Sequence, residues 1–177
     1  MAILKKLLFG LASVLIVFFL IGFLLPKDYQ VKRSIIINAP PEEIYNNVVD
    51  LRAWQQWGVW FKRDPMMQIN YEGPDRAIGM RSTWLSESQG NGEMEITELE
   101  HNRKVVYSLY FPEMDMASTG KFMLAPMEQG TRVTWIDEGD VGNSPVNRYF
   151  ALMIDDMIGP DFEMGLQNLK TVVENNG

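Results

Sequence analysis

Cysteine is absent from the 177 residues, and histidine occurs once. The first absence removes disulfides, thiol nucleophiles and thiolate metal sites, and fits a periplasmic or a cytoplasmic location equally well. The second leaves one imidazole, His101, within "ELEHNRK", which reads as a turn between two strands. A triad base must reach a nucleophile and be oriented by a third group, and a turn tip meets neither demand. Basic residues are also scarce. Setting aside Lys5 and Lys6 from the 16 Lys and Arg leaves 14 against 23 Asp and Glu, a balance that repels phosphate backbones and anionic head groups. Nucleic acid is not an expected partner. The glycines of "SQGNG" lie between two alternating segments, whereas a phosphate-cradling loop must open a helix. Asp155, Asp156 and Asp161 straddle a helix break, where acids commonly serve as caps and first-turn charges. No metal or cofactor is expected, and no residue is assigned a catalytic role.

A long apolar run, by contrast, is present. Residues 7–25, "LLFGLASVLIVFFLIGFLL", carry no charge and no proline, and at about 1.5 Å per residue they match the hydrocarbon thickness of a bilayer. A cleaved signal has a shorter apolar core and a small-residue cleavage site, so an uncleaved anchor is expected. Lys5 and Lys6 on one side nearly balance Lys27, Lys32 and Arg33 on the other, so charge alone decides little about orientation. The expected arrangement keeps the dilysine tail inside and places the rest on the translocated, periplasmic side. Residues 1–26 then form the anchor and residues 27–177 one folded domain.

After the link at 26–28, "YQVKRSIIIN" reads as a β-strand stopped by "NAPPEE". Pro41, Glu42 and Glu43 open a helix whose apolar stripe is Ile44, Tyr45, Val48 and Val49. From about residue 67 the period becomes two, with candidate strands at 67–71, 77–87, 92–100, 104–111, 116–124 and 131–137 and short turn-forming connectors between them. Such connectors imply an antiparallel meander. A long final helix is predicted to begin at Pro160, with Phe162, Leu166, Leu169, Val172 and Val173 on one side; "SPVNRYFALMIDDMIG" before it suggests a shorter helix or a lid. The expected class is α+β: a curved antiparallel sheet around a long C-terminal helix, preceded by one transmembrane helix.

This order, with "INAPPEEIY", "DLRAWQQW", "GEMEITE", "GTRVTW" and "FEMGLQNLK" at their spacings, resembles the START-type helix-grip superfamily (SRPBCC) in its polyketide cyclase/dehydrase-like branch, over about residues 32–174. Membrane-anchored members with a similar N-terminal helix look alike. The resemblance implies a sheet gripping the last helix around a hydrophobic pocket, used elsewhere in the superfamily for lipids, sterols and polyketides.

Extrapolating the period of two places Met80, Ser82, Trp84, Met94, Ile96, Tyr107, Leu109, Phe122, Val133 and Trp135 on the inward face, with Phe162 and Leu166 opposite on the helix. From periodicity alone these fill a core more readily than they line a pocket; the resemblance makes the two readings even. Trp54, Trp57 and Trp60, three apart, can plug the open end of the sheet, wall or gate a cavity, or touch the membrane. The expected function is a membrane-anchored protein that binds a hydrophobic small molecule or lipid through these residues, with Tyr107, Ser82 or an indole N–H fixing a polar end. Two alternatives remain open. One is a cyclase- or dehydratase-like enzyme in the same cavity, for which "IDEGD" offers Asp137, Glu138 and Asp140 as acids if one is partly buried. The other is a pocketless tethered interaction module, with solidly packed tryptophans and an exposed apolar patch elsewhere.

Overall fold

The computed structural model describes residues 2–176. Helix α1 (Ala2–Leu24) is apolar apart from Lys5, Lys6 and Ser13, and from Ile3 onward its side chains are almost wholly exposed; the span Ile3–Leu24 is long and apolar enough to cross a membrane. Strand β1 (Asp28–Ile37) follows, then α2 (Pro41–Val49) and two short helices, α3 (Trp54–Trp57) and α4 (Val59–Arg63). Strands β2 (Gln68–Glu72), β3 (Arg81–Leu85), β4 (Gly92–Glu100), β5 (Lys104–Phe111), β6 (Met116–Pro126) and β7 (Thr131–Asp140) form the meander. A short α5 (Pro145–Ala151) and a long α6 (Ile154–Asn176) close the chain.

All seven strands form one antiparallel sheet in the order β1-β7-β6-β5-β4-β3-β2. The helical crossover through α2–α4 carries the chain from one sheet edge to the other, while every later connection is a hairpin. Helix α6 packs across the inner face, most extensively over β1. This is the expected helix-grip arrangement.

β6 and β7 run two and three residues past their expected ends, and two other boundaries differ more. The strand expected at 77–87 is confined to Arg81–Leu85, because residues before it turn: Gly79 has φ 88° and the Met80 amide donates to the Ala77 carbonyl at 3.0 Å. Met80 is nevertheless buried, so its inward placement survives the loss of strand geometry. Helix α6 starts before Pro160, which lies inside it. The proline removes one ladder hydrogen bond, and ion pairs help hold the extra turns: Arg33 of β1 reaches Asp155 at 2.8 Å and Glu163 at 2.6 Å. Gly159 makes that approach possible, since a Cβ there would fall 1.9 Å from the Arg33 guanidinium.

Strand register sorts the inner face into rows. The lowest of the three rows that build the site runs through Arg33, Trp135, Phe122, Val105 and Leu99, buried at its centre and half-buried at its ends. Above it lie Val31, Asp137, Gly120, Tyr107 and Ile96, all buried. The next row is Tyr29, Gly139, Ser118, Leu109, Met94, Ser82 and Tyr71, of which all but Ser82 are half-buried. This rim row begins two residues into β1, at the strand end that α1 feeds.

Candidate functional site

The deep rows are filled by the protein's own rings. Trp54 and Trp57 are 2% and 0% exposed, and their indole N–H groups donate to the Val48 and Asn47 carbonyls at 3.0 and 3.3 Å. These are orphan carbonyls at the end of α2, so the tryptophans serve its terminus as well as the core. Trp135 stacks on Phe162 at a centroid distance of 4.0 Å and on Phe122 at 4.8 Å, while Trp54, Trp57 and Trp60 meet it edge-on between 5.6 and 5.9 Å. Offset-stacked and edge-to-face pairs each contribute about 0.5–1.5 kcal/mol beyond area burial.

Of the residues predicted to contact a ligand, Trp54, Trp57, Met80, Ser82, Ile96, Tyr107, Phe122, Val133, Trp135, Phe162 and Leu166 are buried in or beside this cluster. Trp60, Met94 and Leu109 are half-buried at its margin, and Trp84, also half-buried, packs instead on Phe111 and over Gly92. The volume expected between sheet and helix is thus taken up in the two deep rows by side chains, because the α3 indoles descend onto Trp135 and Phe122. The polar handles are similarly engaged: Trp84 donates to the Gly90 carbonyl at 3.0 Å and Trp135 to the Tyr107 hydroxyl at 2.8 Å.

One polar group breaks the apolar middle row. Asp137 is 2% exposed and accepts hydrogen bonds from Ser118 at 2.9 Å and Tyr29 at 3.3 Å, both in the rim row above it. Burial pushes its carboxyl above the ordinary carboxylate range, while those two donors pull the other way. Desolvation and the nearby Asp137 charge push the Tyr29 phenol up to about 12, and burial raises Tyr107 well above the phenol range. Two glycines make room: a Cβ at Gly120 would meet the Tyr107 ring at 1.9 Å, and one at Gly139 would meet the Tyr29 ring at 2.6 Å. Sequence pattern does not single out Tyr29 or Ser118. It offers Asp137 as one acid of three, and the period of two through Val133 and Trp135 carries it inward.

Other sequence-flagged groups have structural partners. Asp155 pairs with Arg33, and Asp161 accepts from Arg63 at 2.7 Å. His101 is exposed in the turn after β4, edge-on to Tyr45. Two wide-mouthed depressions lie on the described surface. One, about 860 Å³, is lined chiefly by outward residues of β1, β5, β6 and β7, including Gln30, Ser108, Thr119 and Glu138; the other, about 410 Å³, lies by Pro40 and Pro126.

Residues 29–174 match the family described as "Polyketide cyclase / dehydrase and lipid transport". The chain belongs to that family. Solved structures agree on the fold of this polyketide cyclase/dehydrase and lipid transport member. A Staphylococcus aureus protein of unknown function superposes with a TM-score of 0.65 at 14% identity, covering 84% of this chain and 95% of its own. A Thermus thermophilus protein gives 0.63 at 18% identity, covering 84% and 99%. A Mesorhizobium loti protein gives 0.62 at 16% identity, covering 84% and 98%. At such identities the likeness is one of fold. No curated protein matches the sequence. The family fold supports a ligand-binding or cyclase-like role.

Proposed function

We propose that the protein is a single-pass, membrane-anchored binder of a hydrophobic small molecule or lipid, held against the rim of the grip, with the domain on the translocated side. The observation that carries this reading is the rim row itself: its half-buried residues lie above a filled aromatic floor, at the strand end joined to α1. A ligand leaving the bilayer would lay its apolar body over Met94, Leu109 and the margins of Trp60 and Trp84, gaining about 25 cal/mol per Å² buried before the ordering costs of association. Deeper contacts with Tyr107 or Trp135 require the α3 indoles to move. Its polar end would meet Tyr29 and Ser118, whose hydroxyls already face Asp137.

Asp137 also favours a second reading. A buried carboxyl with a raised pKa, beside the Tyr107 phenol, is the kind of group that donates a proton in a cyclase- or dehydratase-like step. Both readings place the substrate at the same rim.

The test is photocrosslinking of the full chain in lipid nanodiscs with a diazirine-bearing long-chain fatty acid, followed by peptide mass spectrometry. Adducts on β4 and β5 at Met94 and Leu109, displaced by excess unlabelled fatty acid, are expected. Adducts confined to α1 would defeat the binding proposal and favour a pocketless interaction module.

A further inference from the structure

The stretch between β7 and the body of α6 exposes Val146, Phe150, Leu152, Met153 and Met157, each between 39% and 60% accessible. Among the described residues no part of the domain covers their exposed faces, and neither the rim nor the aromatic floor uses them. What lies beside them is α1. Tyr149 stacks on Phe18 at 4.4 Å, with its rings 8° apart, and donates to the Phe18 carbonyl at 2.8 Å. Arg148 donates to the carbonyls of Phe23 and Leu25 at 2.6 and 3.2 Å, so a cation serves the negative end of α1 and its orphan carbonyls. Pro145 sits so close to Gly22 that a Cβ there would fall 2.7 Å from its carbonyl oxygen.

These contacts fix a depth. Phe18 lies six residues before the end of α1, about 9 Å along its axis at 1.5 Å per residue. Helices that lie in a membrane interface bury their apolar face about 5–10 Å into it. We propose that α5 and the first turn of α6 form a second, monotopic contact with the leaflet that α1 enters, and that lipid acyl chains cover this exposed apolar stretch. The inference rests on the reading of α1 as a membrane span. Acyl chains are the occupant because the patch continues the lipid-facing surface of α1. The acids of α6 mark the limit of immersion: Asp155 turns to Arg33, and exposed Asp156 stays in the head-group layer. With 23 acidic residues in the chain, the contact is held by apolar burial and not by attraction to anionic lipid.

The lack of cysteine makes the test direct. Phe150→Cys and Met157→Cys, each in the full chain, are labelled with an environment-sensitive fluorophore and placed in phosphatidylcholine vesicles with or without brominated acyl chains. Phe9→Cys in α1 reports the anchor, and Glu128→Cys, in the β6–β7 turn, is the aqueous control. Expected is bromine quenching at positions 150 and 157 of at least about half that at position 9, unchanged by salt, and none at 128. Quenching at 9 without quenching at 150 and 157 would overturn the inference and leave the anchor standing. No quenching at 9 would remove the anchor and this inference with it. Labels at 150 and 157 shielded from aqueous iodide yet unquenched by bromolipid would mean that protein covers the patch, which also overturns it.

Discussion

The segments around Trp54–Trp57 and Phe150–Met157 are both rich in bulky apolar side chains, yet the first pair is 2% and 0% exposed and the second 54% and 60%. The difference lies in what the chain supplies to each. Trp54 and Trp57 find aromatic partners in β6 and β7 and carbonyl acceptors at the end of α2. Phe150 and Met157 find neither; their neighbours Arg148 and Tyr149 are spent on α1. Apolar content alone therefore does not distinguish a core from a docking face. The distinction lies in whether complementary surface exists within the same chain.

That contrast can be broken at four points, each followed by denaturant unfolding of the full chain in detergent micelles and read by tryptophan fluorescence. Trp135→Ala removes the ring on which Phe122 and Phe162 stack and leaves the Tyr107 hydroxyl without its donor; a loss of about 3–5 kcal/mol is expected. Gly120→Ala overpacks the same region against the Tyr107 ring and should cost about 1–3 kcal/mol. A loss below that range would mean that the middle row yields readily.

Asp137→Asn gives a smaller effect with a definite pH signature. The folded carboxyl is raised above its unfolded value of about 3.9, so its protonated form adds stability at low pH that is lost as pH rises through the folded value. Asparagine is neutral throughout. The stability difference should thus move in favour of the wild type on acidification from neutrality. The lowered surface carboxyls, such as Asp140 and Asp155, run the opposite way but are common to both proteins and cancel. The smallest effect belongs to the exposed segment, whose apolar side chains pack on no core and meet detergent in the folded and the unfolded chain alike: Phe150→Ser should change stability by less than about 0.5 kcal/mol in the same assay. A loss comparable to that of Trp135→Ala would erase the distinction between the two regions.

Much of the architecture is legible in the sequence, because a period of two with short turns leaves few alternatives to an antiparallel meander. β4 and β5 match their predicted bounds for that reason. The start of α6 is not legible, since Pro160 reads locally as a first-turn residue while Arg33, distant in sequence, supports the turns before it. The site is only partly so. Inward placement of Trp135 and Phe122 follows from alternation, but filling or vacancy depends on how far the α3 indoles descend, which depends on volumes and not on pattern. Tyr29 and Ser118 become a pair over Asp137 only through register, with both opposite Gly139. Asp137 reads in "IDEGD" as one of three acids near a strand end, and that local stretch alone does not say which of the three is buried.

Only Leu25, Pro26 and Lys27 separate α1 from β1. Fully extended, three residues reach about 10 Å, and the grip of Arg148 and Tyr149 on the helix removes most of the swivel such a tether would otherwise allow. On the reading of α1 as a span, the domain keeps a fixed heading and diffuses in two dimensions. If the rim also binds its ligand as proposed, that ligand would be exchanged along the leaflet and not captured from bulk solution.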